Sequence, residues 1–402
     1  MKKILFKSLI IIALLILVFL LPLFYPSGIA VYFRLLLLIL IFIESLKLFK
    51  VIFIDTKVIH RYEPQSKLWV SYPPLRPDSV GIQLSNSATL RFRNWSFTNK
   101  IISNAATVLF SLFVISLLLE AIFMFIPRSH SADYTLASRL WYAKYWKPIN
   151  SSGFRDKEPD NNNPVILFVG DSFTAGHGLK SADDRFSNIV GKELNKQGKK
   201  YTVINIGKPN LDTRNEYDAM KDFIYLTRIK PQKIILQYCG NDIEGVATNN
   251  GLIFDGFKPP ANMNKFLMLI GSGSYLVNYL YFLSPREYLG MSYINYLTKA
   301  YKNDNILSKH KDDLKLFVDY SQTDSAQLIV VVFPFLTDIE MSNSMYLNDI
   351  VSFFNANKIG VINVSQLAKN IPVNERIVNI NDTHASKILN NIIAQEILKK
   401  LE

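Results

Sequence analysis

The stretch Val165-Ile166-Leu167-Phe168-Val169-Gly170-Asp171-Ser172-Phe173-Thr174 decides the fold of this chain. Its first five residues are apolar without interruption, which is typical of a strand buried on both faces of a parallel sheet. Gly170 and Asp171 then favour a turn, and a helix-like segment follows. Ser172 is therefore predicted at the carboxyl end of a buried strand, where open α/β sheets place their chemistry. Taken alone, the stretch is equally compatible with a strand-to-helix turn that merely contains a serine.

Apolar runs and amphipathic segments alternate from Pro164 onward. Five runs predict strands, at 165–169, 201–206, 233–238, 328–333 and 360–364. Five further segments predict helices, at 183–197, 214–229, 311–320, 345–355 and 385–400. Such alternation indicates a parallel sheet covered by helices on both faces. The sequence therefore predicts an α/β fold, a three-layer α/β/α sandwich, over 164–402, with an insertion at about 251–306.

The first 127 residues are more apolar than the rest. The segment 8–24 has no charged residue over 17 positions, and 101–119 has none over 19. These lengths approach the roughly 20 residues that cross a bilayer. A third run, 28–46, is interrupted by Arg34 and Glu44. We therefore expect transmembrane helices at about 4–25, 29–50 and 102–126, in which Arg34 and Glu120 would snorkel, face other helices or serve a function in the membrane.

The distribution of basic residues predicts an orientation. Lysines precede the first span and basic residues fill the segment 51–101, whereas the short loop near residue 28 has none. The positive-inside rule then places the 51–101 loop in the cytoplasm. We expect an integral protein of a bacterial inner or cell membrane, whose catalytic domain is extracytoplasmic and follows a linker at 128–163. These flanks explain much of the net charge of +12 without a nucleic-acid partner.

Polar residues follow the predicted strands. The segment 205–210 (Asn-Ile-Gly-Lys-Pro-Asn) follows the second strand, Gly240-Asn241-Asp242 follows the third, and Asp382-Thr383-His384 precedes the last helix. A carboxylate two residues from an imidazole suits nucleophilic catalysis, although it also suits an ordinary helix-capping turn. The single cysteine, Cys239, excludes a disulfide framework and a cysteine-based zinc cluster. We expect no metal and no other cofactor.

The order of these blocks resembles the SGNH/GDSL hydrolase family. The four blocks are Gly170-Asp171-Ser172, the segment 205–210, Asn241-Asp242 and Asp382-x-His384, and a lead-in at 150–156 is also similar to members of that family. The resemblance covers about 150–402. It implies the flavodoxin-like SGNH fold and a serine hydrolase.

The resemblance implies a role for each member of a triad. Ser172 would be the nucleophile, His384 its general base, and Asp382 the carboxylate that orients the imidazole. Asp382 stands two positions before His384, whereas many members of the family have the carboxylate three positions before. His177, close to Ser172, is an alternative base, although its place in a glycine-flanked loop past the nucleophile makes it the weaker candidate.

The resemblance also implies three donors to the oxyanion. These are the backbone N–H of Ser172, the side-chain amide of Asn241 and a backbone N–H of the second block. The family's glycine in that block aligns with Asn210 better than with Gly207, and asparagine tolerates a left-handed backbone. Asn210 is therefore the expected third donor, and Gly207 is the runner-up.

The implied function is a membrane-anchored serine esterase that works through an acyl-enzyme. Its substrate would be an ester of the cell envelope, either an O-acetylated glycan or a lipid. One alternative is an O-acyltransferase that modifies an envelope glycan and depends on an acyl-donating membrane protein. Another is a catalytically silent binding module on the same fold. The apolar insertion 251–306 would be a lid, a pocket wall, a membrane-facing helix or an extra helix packed on the core.

Overall fold

A computed structural model describes residues 2–24, 29–49, 86–131, 135–160, 162–254, 270–283 and 287–402. The chain divides into two compact units, one of 1–126 with 264–281 and one of 127–263 with 282–402. Most of the predicted loop 51–101 lies outside the described residues. The same holds for residues 255–269 and 284–286 of the predicted insertion.

The N-terminal unit is helical where it is described. Helix α1 spans Lys2–Phe24, α2 spans Ile29–Phe49 and α3 spans Asn86–Phe123. The first two helices coincide closely with two of the predicted spans. The third begins well before residue 102, where the predicted span begins.

The predicted localisation in a membrane is contradicted. Among the described residues, no helix combines the length and the apolar character needed to cross a bilayer. In the structure, charged residues pair between helices: Lys7 contacts Glu44 at 3.2 Å, and Arg34 contacts Glu120. The expected integral membrane protein with an extracytoplasmic domain is therefore not supported.

Arg34 and Glu120 form a buried ion pair that also caps a helix. The Glu120 carboxylate accepts hydrogen bonds from the Ser274 hydroxyl at 2.7 Å and from the backbone N–H groups of Tyr275 and Leu276 at 2.8 and 2.9 Å. These N–H groups open the helix Tyr275–Leu283, where a negative charge is stabilising. Of the alternatives left open by the sequence for these two charges, the structure favours pairing between helices.

The second unit is built on a parallel sheet. Its strands are β1 (Val165–Val169), β2 (Thr202–Asn205), β3 (Pro231–Tyr238), β4 (Gln327–Val332) and β5 (Gly360–Asn363). They are ordered β2-β1-β3-β4-β5, and every neighbouring pair is parallel. This is the doubly wound order whose switch point lies between β1 and β3. The predicted α/β fold with a parallel sheet is confirmed, and an antiparallel pair, β6 (Ile377–Asn379) and β7 (Asp382–Ala385), follows it.

Helices connect and cover these strands. The helices before the insertion are α4 (Leu136–Tyr145), α5 (Ser172–Ala175), α6 (Phe186–Lys196), α7 (Thr213–Thr227) and α8 (Glu244–Asn249). The next helix along the chain, α9 (Tyr275–Leu283), belongs mostly to the first unit. The remaining helices of the second unit are α10 (Glu287–Tyr301), α11 (Asp304–Thr323), α12 (Ile339–Ser342), α13 (Asn348–Ala356), α14 (Val364–Ala368), α15 (Val373–Arg376) and α16 (Lys387–Leu401). A 3₁₀ turn at Ala182–Asp184 precedes α6, and a π-helical turn at Asn343–Leu347 precedes α13.

The alternation of β1 side chains explains the two layers of helices. Leu167 points into one core, which it shares with Met220 of α7 and Phe317 of α11. Phe168 points into a second core, which it shares with Val190 of α6 and further side chains of α16. Because successive strand residues face opposite sides, an uninterrupted apolar strand needs a helical layer on each side. Because helices cover both faces, the part of the sheet that remains available for a site is the edge at the carboxyl ends of its strands.

Candidate active site

Ser172 is the first residue of α5, directly after β1. The Asp171 side chain caps this short helix by accepting the Phe173 N–H at 2.8 Å. A Cβ at position 170 would collide with Thr174 Oγ1 and with Gln237, so the turn requires Gly170. Ser172 is thereby held half-buried at the edge of the sheet.

The side chain of Gln237, on β3, holds the turn between β1 and α5 in place through three hydrogen bonds. Its Oε1 accepts the N–H of Asp171 at 3.1 Å, the N–H of Thr174 at 3.3 Å and the Thr174 hydroxyl at 3.0 Å. The side chain is fully buried. Gln237 was not among the predicted site residues, although a glutamine within an apolar strand is a signal that points to such a role.

Ser172, His384 and Asp382 meet at the carboxyl edge of the sheet. His384 Nε2 lies 2.8 Å from Ser172 Oγ, and His384 Nδ1 lies 2.6 Å from Asp382 Oδ1. Asp382 and His384 are two residues apart on β7, so both side chains leave the strand on the same face. The structure therefore brings together all three residues of the predicted triad.

The buried Asp382 carboxyl is ionised because of its neighbours. Burial alone would raise its pKa, but the charge of His384 and hydrogen bonds from His177 and His384 hold the pKa well below its ordinary value. Asp382 is 0% exposed and His384 is 8% exposed. A carboxylate that remains charged can stabilise an imidazolium on His384.

Two rings enclose the imidazole of His384. The Phe173 ring lies 4.9 Å from it between centroids, and the His177 ring lies 4.4 Å from it. Phe173 is in turn supported by Phe333 at 4.7 Å. These contacts restrict the orientation of the imidazole and leave Nε2 facing Ser172.

His177 lies behind the triad and not beside the Ser172 hydroxyl. Its Nδ1 is 3.3 Å from Asp382 Oδ2 and 3.1 Å from His384 Nδ1. Its backbone N–H donates to the Ser172 carbonyl at 2.9 Å. The imidazole nitrogen placed 2.8 Å from the Ser172 hydroxyl is Nε2 of His384, so the role of His384 as the base stays the prediction to test.

His177, Asp382 and His384 also form a possible metal-ligand set. One ligand atom from each lies within 4.8 Å of the others. Two imidazoles and a carboxylate suit a zinc ion. The same ring and carboxylate atoms hydrogen-bond to one another and to Ser172, so an ion bound through them would compete with the contact between His384 and Ser172.

Two of the predicted oxyanion donors lie at the turn that carries Ser172. The Ser172 N–H opens α5 and makes no hydrogen bond within the described residues. The Asn241 amide donates one hydrogen to Asp171 Oδ2 at 3.1 Å, which leaves its second hydrogen for a ligand. Both groups thus lie beside the capped turn that carries the serine.

The second block is anchored by Asn205. Its side-chain amide donates to the Thr174 carbonyl at 2.8 Å, and its Oδ1 accepts the Gly207 N–H at 2.9 Å. The Gly207 N–H, the runner-up donor, is therefore already occupied. Asn210 has the left-handed backbone expected of it, with φ of 64°, and is exposed, but no contact links it to Ser172 in the described chain. Its role as a donor stays a prediction.

A buried network of tyrosines holds the loop that carries Asn241. Tyr301 Oη donates to the Gly240 carbonyl at 3.0 Å, Tyr238 Oη lies 2.6 Å from Tyr301 Oη, and His310 Nε2 lies 2.9 Å from Tyr238 Oη. A carbonyl can only accept, so the hydrogens must run in one direction: His310 to Tyr238, Tyr238 to Tyr301, Tyr301 to Gly240. His310 therefore carries a hydrogen on Nε2. Burial, aided by the charge of Lys311, lowers its pKa to about 3.

The lead-in segment binds the loop that follows the serine. The Arg155 guanidinium donates to the carbonyls of Gly176 at 2.6 Å and Leu179 at 2.8 Å, and it lies over the Trp146 ring at 4.8 Å. Asp156 Oδ2 accepts the backbone N–H of Asn205 at 2.8 Å. Sequence reasoning noticed this segment only as a resemblance and assigned its charged residues no role.

Cys239 and the neighbouring acids contribute no second nucleophile. Burial, followed by the charges of Asp171 and Asp242, raises the pKa of the Cys239 thiol well above its ordinary value. Burial and the charge of Asp242 likewise raise the pKa of Glu216 well above the usual range. A fully buried thiol of this kind is unreactive. These groups lie in the packing beneath the site.

Comparisons with known proteins give structural relatives only. No protein-family profile and no curated protein matches the sequence. An acetyl xylan esterase, AlAXEase, is 15% identical with a TM-score of 0.38, and the match covers 59% of this chain and 100% of that one. A lipolytic protein of the G-D-S-L family from Desulfitobacterium hafniense is 14% identical with a TM-score of 0.36, covering 59% and 99%. AlinE4, an SGNH-hydrolase family esterase, is 14% identical with a TM-score of 0.30, covering 51% and 77%.

Likenesses of this size do not assign an activity, which has to be inferred from the site itself. Their matches cover no more than about three-fifths of this chain. The solved structures that this chain is similar to include hydrolases of the SGNH/G-D-S-L family, the family that its four sequence blocks resemble.

Proposed function

We propose that this protein is a serine ester hydrolase that works through an acyl-enzyme on Ser172. The observation that carries the proposal is the continuous line of short contacts from Ser172 Oγ through His384 to Asp382, at 2.8 and 2.6 Å. A serine hydroxyl needs such a base, because it is a weak nucleophile at neutral pH.

In the first half of the reaction, Ser172 Oγ attacks the carbonyl carbon of the ester. The hydroxyl proton passes to His384 Nε2, and the carbonyl oxygen becomes an oxyanion that the Ser172 N–H and the Asn241 amide can bind. The tetrahedral adduct then loses the alcohol, which takes its proton from His384. The acyl group remains on Ser172.

In the second half of the reaction, a water molecule hydrolyses the acyl-enzyme. His384 removes a proton from water, the hydroxide attacks the acyl carbon, and the proton returns to Ser172 as the acid leaves. Asp382 stays ionised throughout and compensates the positive charge that His384 carries in each transition state. The carboxylate is suited to this because its pKa is well below the ordinary value.

We infer a small ester, such as an acetyl ester of a glycan, or a lipid ester as the substrate class to examine. The test begins with a fluorophosphonate probe, which reacts only with an activated serine. Wild-type protein should be labelled on Ser172, and Ser172→Ala should not be labelled. Absence of labelling in the folded wild type would favour a silent binding module.

Hydrolysis is then distinguished from transfer with p-nitrophenyl acetate. We expect release of p-nitrophenol and acetate in equal amounts, with or without an added glycan. Release of nitrophenol in excess of acetate, with an acetylated glycan as the second product, would establish acyl transfer instead. The rates should be the same after treatment with EDTA, because the proposed steps use protein groups alone.

A further inference from the structure

His177 is a buried histidine that the steps above do not use. Its ring is 1% exposed and lies against Asp382 and His384. The aromatic rings of Trp141 and Tyr142 surround it at centroid distances of 5.4 and 5.6 Å, and Trp146 lies at 6.2 Å. A polar ring in such an enclosure is held in one orientation.

The position of its hydrogen follows from the contacts around it. His384 must keep Nε2 free to accept the Ser172 proton, so the hydrogen of the neutral ring is on Nδ1 and points to Asp382 Oδ1. His384 Nδ1 therefore cannot accept a hydrogen from His177. A bare lone pair on His177 Nδ1 would face the anionic Asp382 Oδ2 at 3.3 Å, which is repulsive. The hydrogen of His177 is thus on Nδ1, the ring nitrogen that lies 3.3 Å from Asp382 Oδ2.

Asp382 Oδ2 needs this donor. The oxygen is fully buried and accepts no hydrogen bond of regular geometry in the described chain, although His177 Nδ1 lies 3.3 Å from it. A buried carboxylate oxygen without a donor is costly. The hydrogen bond from His177 is also among the causes that hold the pKa of Asp382 low.

The loop is shaped to bring His177 to this place. The next residue, Gly178, has φ of +80°, and a Cβ there would come 2.5 Å from Asp382 Oδ2. Only glycine allows the chain to pass so closely against the carboxylate. Arg155 fixes the same loop through the carbonyl of Gly176 at 2.6 Å.

We propose that His177 is a positioning residue for the triad: its Nδ1–H donates to Asp382 Oδ2 and holds the carboxylate so that Oδ1 accepts from His384. The proposal rests on the proposed function, because it assigns His177 a role in activating Ser172. His177 would thus add a second imidazole to the triad, bound to Oδ2 of Asp382, while His384 binds Oδ1.

The test compares three substitutions in the full chain. Asparagine places its amide nitrogen where His177 has Nδ1, glutamine places it where His177 has Nε2, and leucine has no donor. We expect His177→Asn to keep the rate of fluorophosphonate labelling at saturation within about threefold of wild type, and His177→Gln and His177→Leu to lose roughly 10- to 100-fold. The probe concentration for half-maximal rate should not change, because His177 does not face the cleft.

A spectroscopic readout separates positioning from general damage. The short contact between His384 and Asp382 should give a low-field proton resonance in wild type and His177→Asn, and this resonance should shift or broaden in His177→Gln and His177→Leu. Equal labelling rates and an unchanged resonance in His177→Leu would overturn the proposal, and so would an asparagine variant as slow as the leucine variant. Wild type that is not labelled would contradict the proposed enzyme, while the resonance would still report on His177.

Discussion

Two buried histidines of the second unit, His384 and His310, differ in the groups that they contact. His384 contacts a carboxylate and a hydroxyl at the edge of the sheet, whereas His310 contacts a tyrosine deep in the core. His384 is 8% exposed and His310 is 0% exposed. One histidine has an anion that compensates a positive charge, and the other has none among its hydrogen-bond partners in the described chain.

The difference shows what a histidine needs in order to act as a base. It must gain a proton during the reaction, so a carboxylate must be near and the acceptor nitrogen must face the substrate. His310 meets neither condition, and its pKa of about 3 keeps it neutral. Its hydrogen-bonded line through Tyr238 and Tyr301 instead ends on Gly240, beside the proposed oxyanion donor Asn241.

The largest expected effect comes from the same substitution at both histidines. Glutamine keeps an amide near the Nε2 position but cannot take up a proton. His384→Gln should lower the rate of Ser172 labelling about 10⁴-fold. His310→Gln should leave that rate within about threefold of wild type at 20 °C, because the amide can still donate to Tyr238. Rates of fluorophosphonate labelling measure both.

A thermal melt of each variant serves as the control. His384→Gln should melt close to wild type, so that its lost rate is a matter of chemistry. If His384→Gln and His310→Gln lost labelling to the same degree, the proposed difference in role between the two histidines would be wrong.

Asn241 connects the two regions and should give the next largest effect. Asn241→Ala removes one proposed oxyanion donor, and we expect acylation by p-nitrophenyl acetate to fall about 10²- to 10³-fold. Asn241→Asp keeps the size of the side chain but replaces the donor by an acceptor, and it should be at least as slow. If Asn241→Ala had the wild-type rate of acylation, Asn241 would not be an oxyanion donor.

The dependence of stability on pH should separate the two histidines further. The pKa of His310 is about 3 when folded and about 6.5 when unfolded, so the unfolded chain binds more protons between these values. The contribution of His310 to the free energy of unfolding should therefore rise from pH 3 to pH 6.5 and level off above, with a total of at most about 5 kcal/mol.

Urea unfolding at a series of pH values measures this contribution. His310→Gln should lose it, and the difference between the two proteins should be clearest between pH 4.5 and 6.5, because the buried carboxyl groups with shifted pKa, such as Glu216 and Asp382, are present in both. If wild type and His310→Gln had the same pH dependence across this window, His310 would not be held neutral by its burial.

The smallest effect is expected at Tyr301. Tyr301→Phe removes the hydroxyl that donates to the Gly240 carbonyl at 3.0 Å and leaves a buried acceptor unpaired. This should cost about 1–3 kcal/mol of stability and slow acylation only a few-fold. Tyr293→Phe, at a tyrosine that bonds Glu244 and not Gly240, is the matched control, which should leave acylation unchanged. Equal rates of acylation for Tyr301→Phe and Tyr293→Phe would show that the tyrosine network does not influence Asn241.

Much of the sheet could be predicted because its residues carry a local signal. The run 165–169 coincides with β1, and the other four predicted strands overlap β2 to β5. Each is apolar and is followed by a polar turn, as a strand buried on both faces must be. The last helix, by contrast, begins at Lys387 and not at 385, because Asp382–Ala385 forms β7, whose partner β6 has only three residues. A strand that short gives little periodicity to detect.

The supporting residues of the site could not be predicted, because their partners are distant in sequence. Gln237 binds a turn 66 positions earlier, and His177 meets a histidine 207 positions later. Nothing near these residues indicates such contacts. The prediction of a membrane location was wrong because no helix in the described part of the chain is both long and apolar enough to cross a bilayer.

The central claim is that Ser172 becomes covalently acylated with His384 as its base. The most direct measurement is acid quenching of the protein during turnover of p-nitrophenyl acetate, followed by mass spectrometry of its peptides. We predict one acetyl group on the peptide that carries Ser172 in wild type, and none on that peptide in His384→Gln. An acetyl group found elsewhere in wild type, or found equally on Ser172 in His384→Gln, would contradict the account.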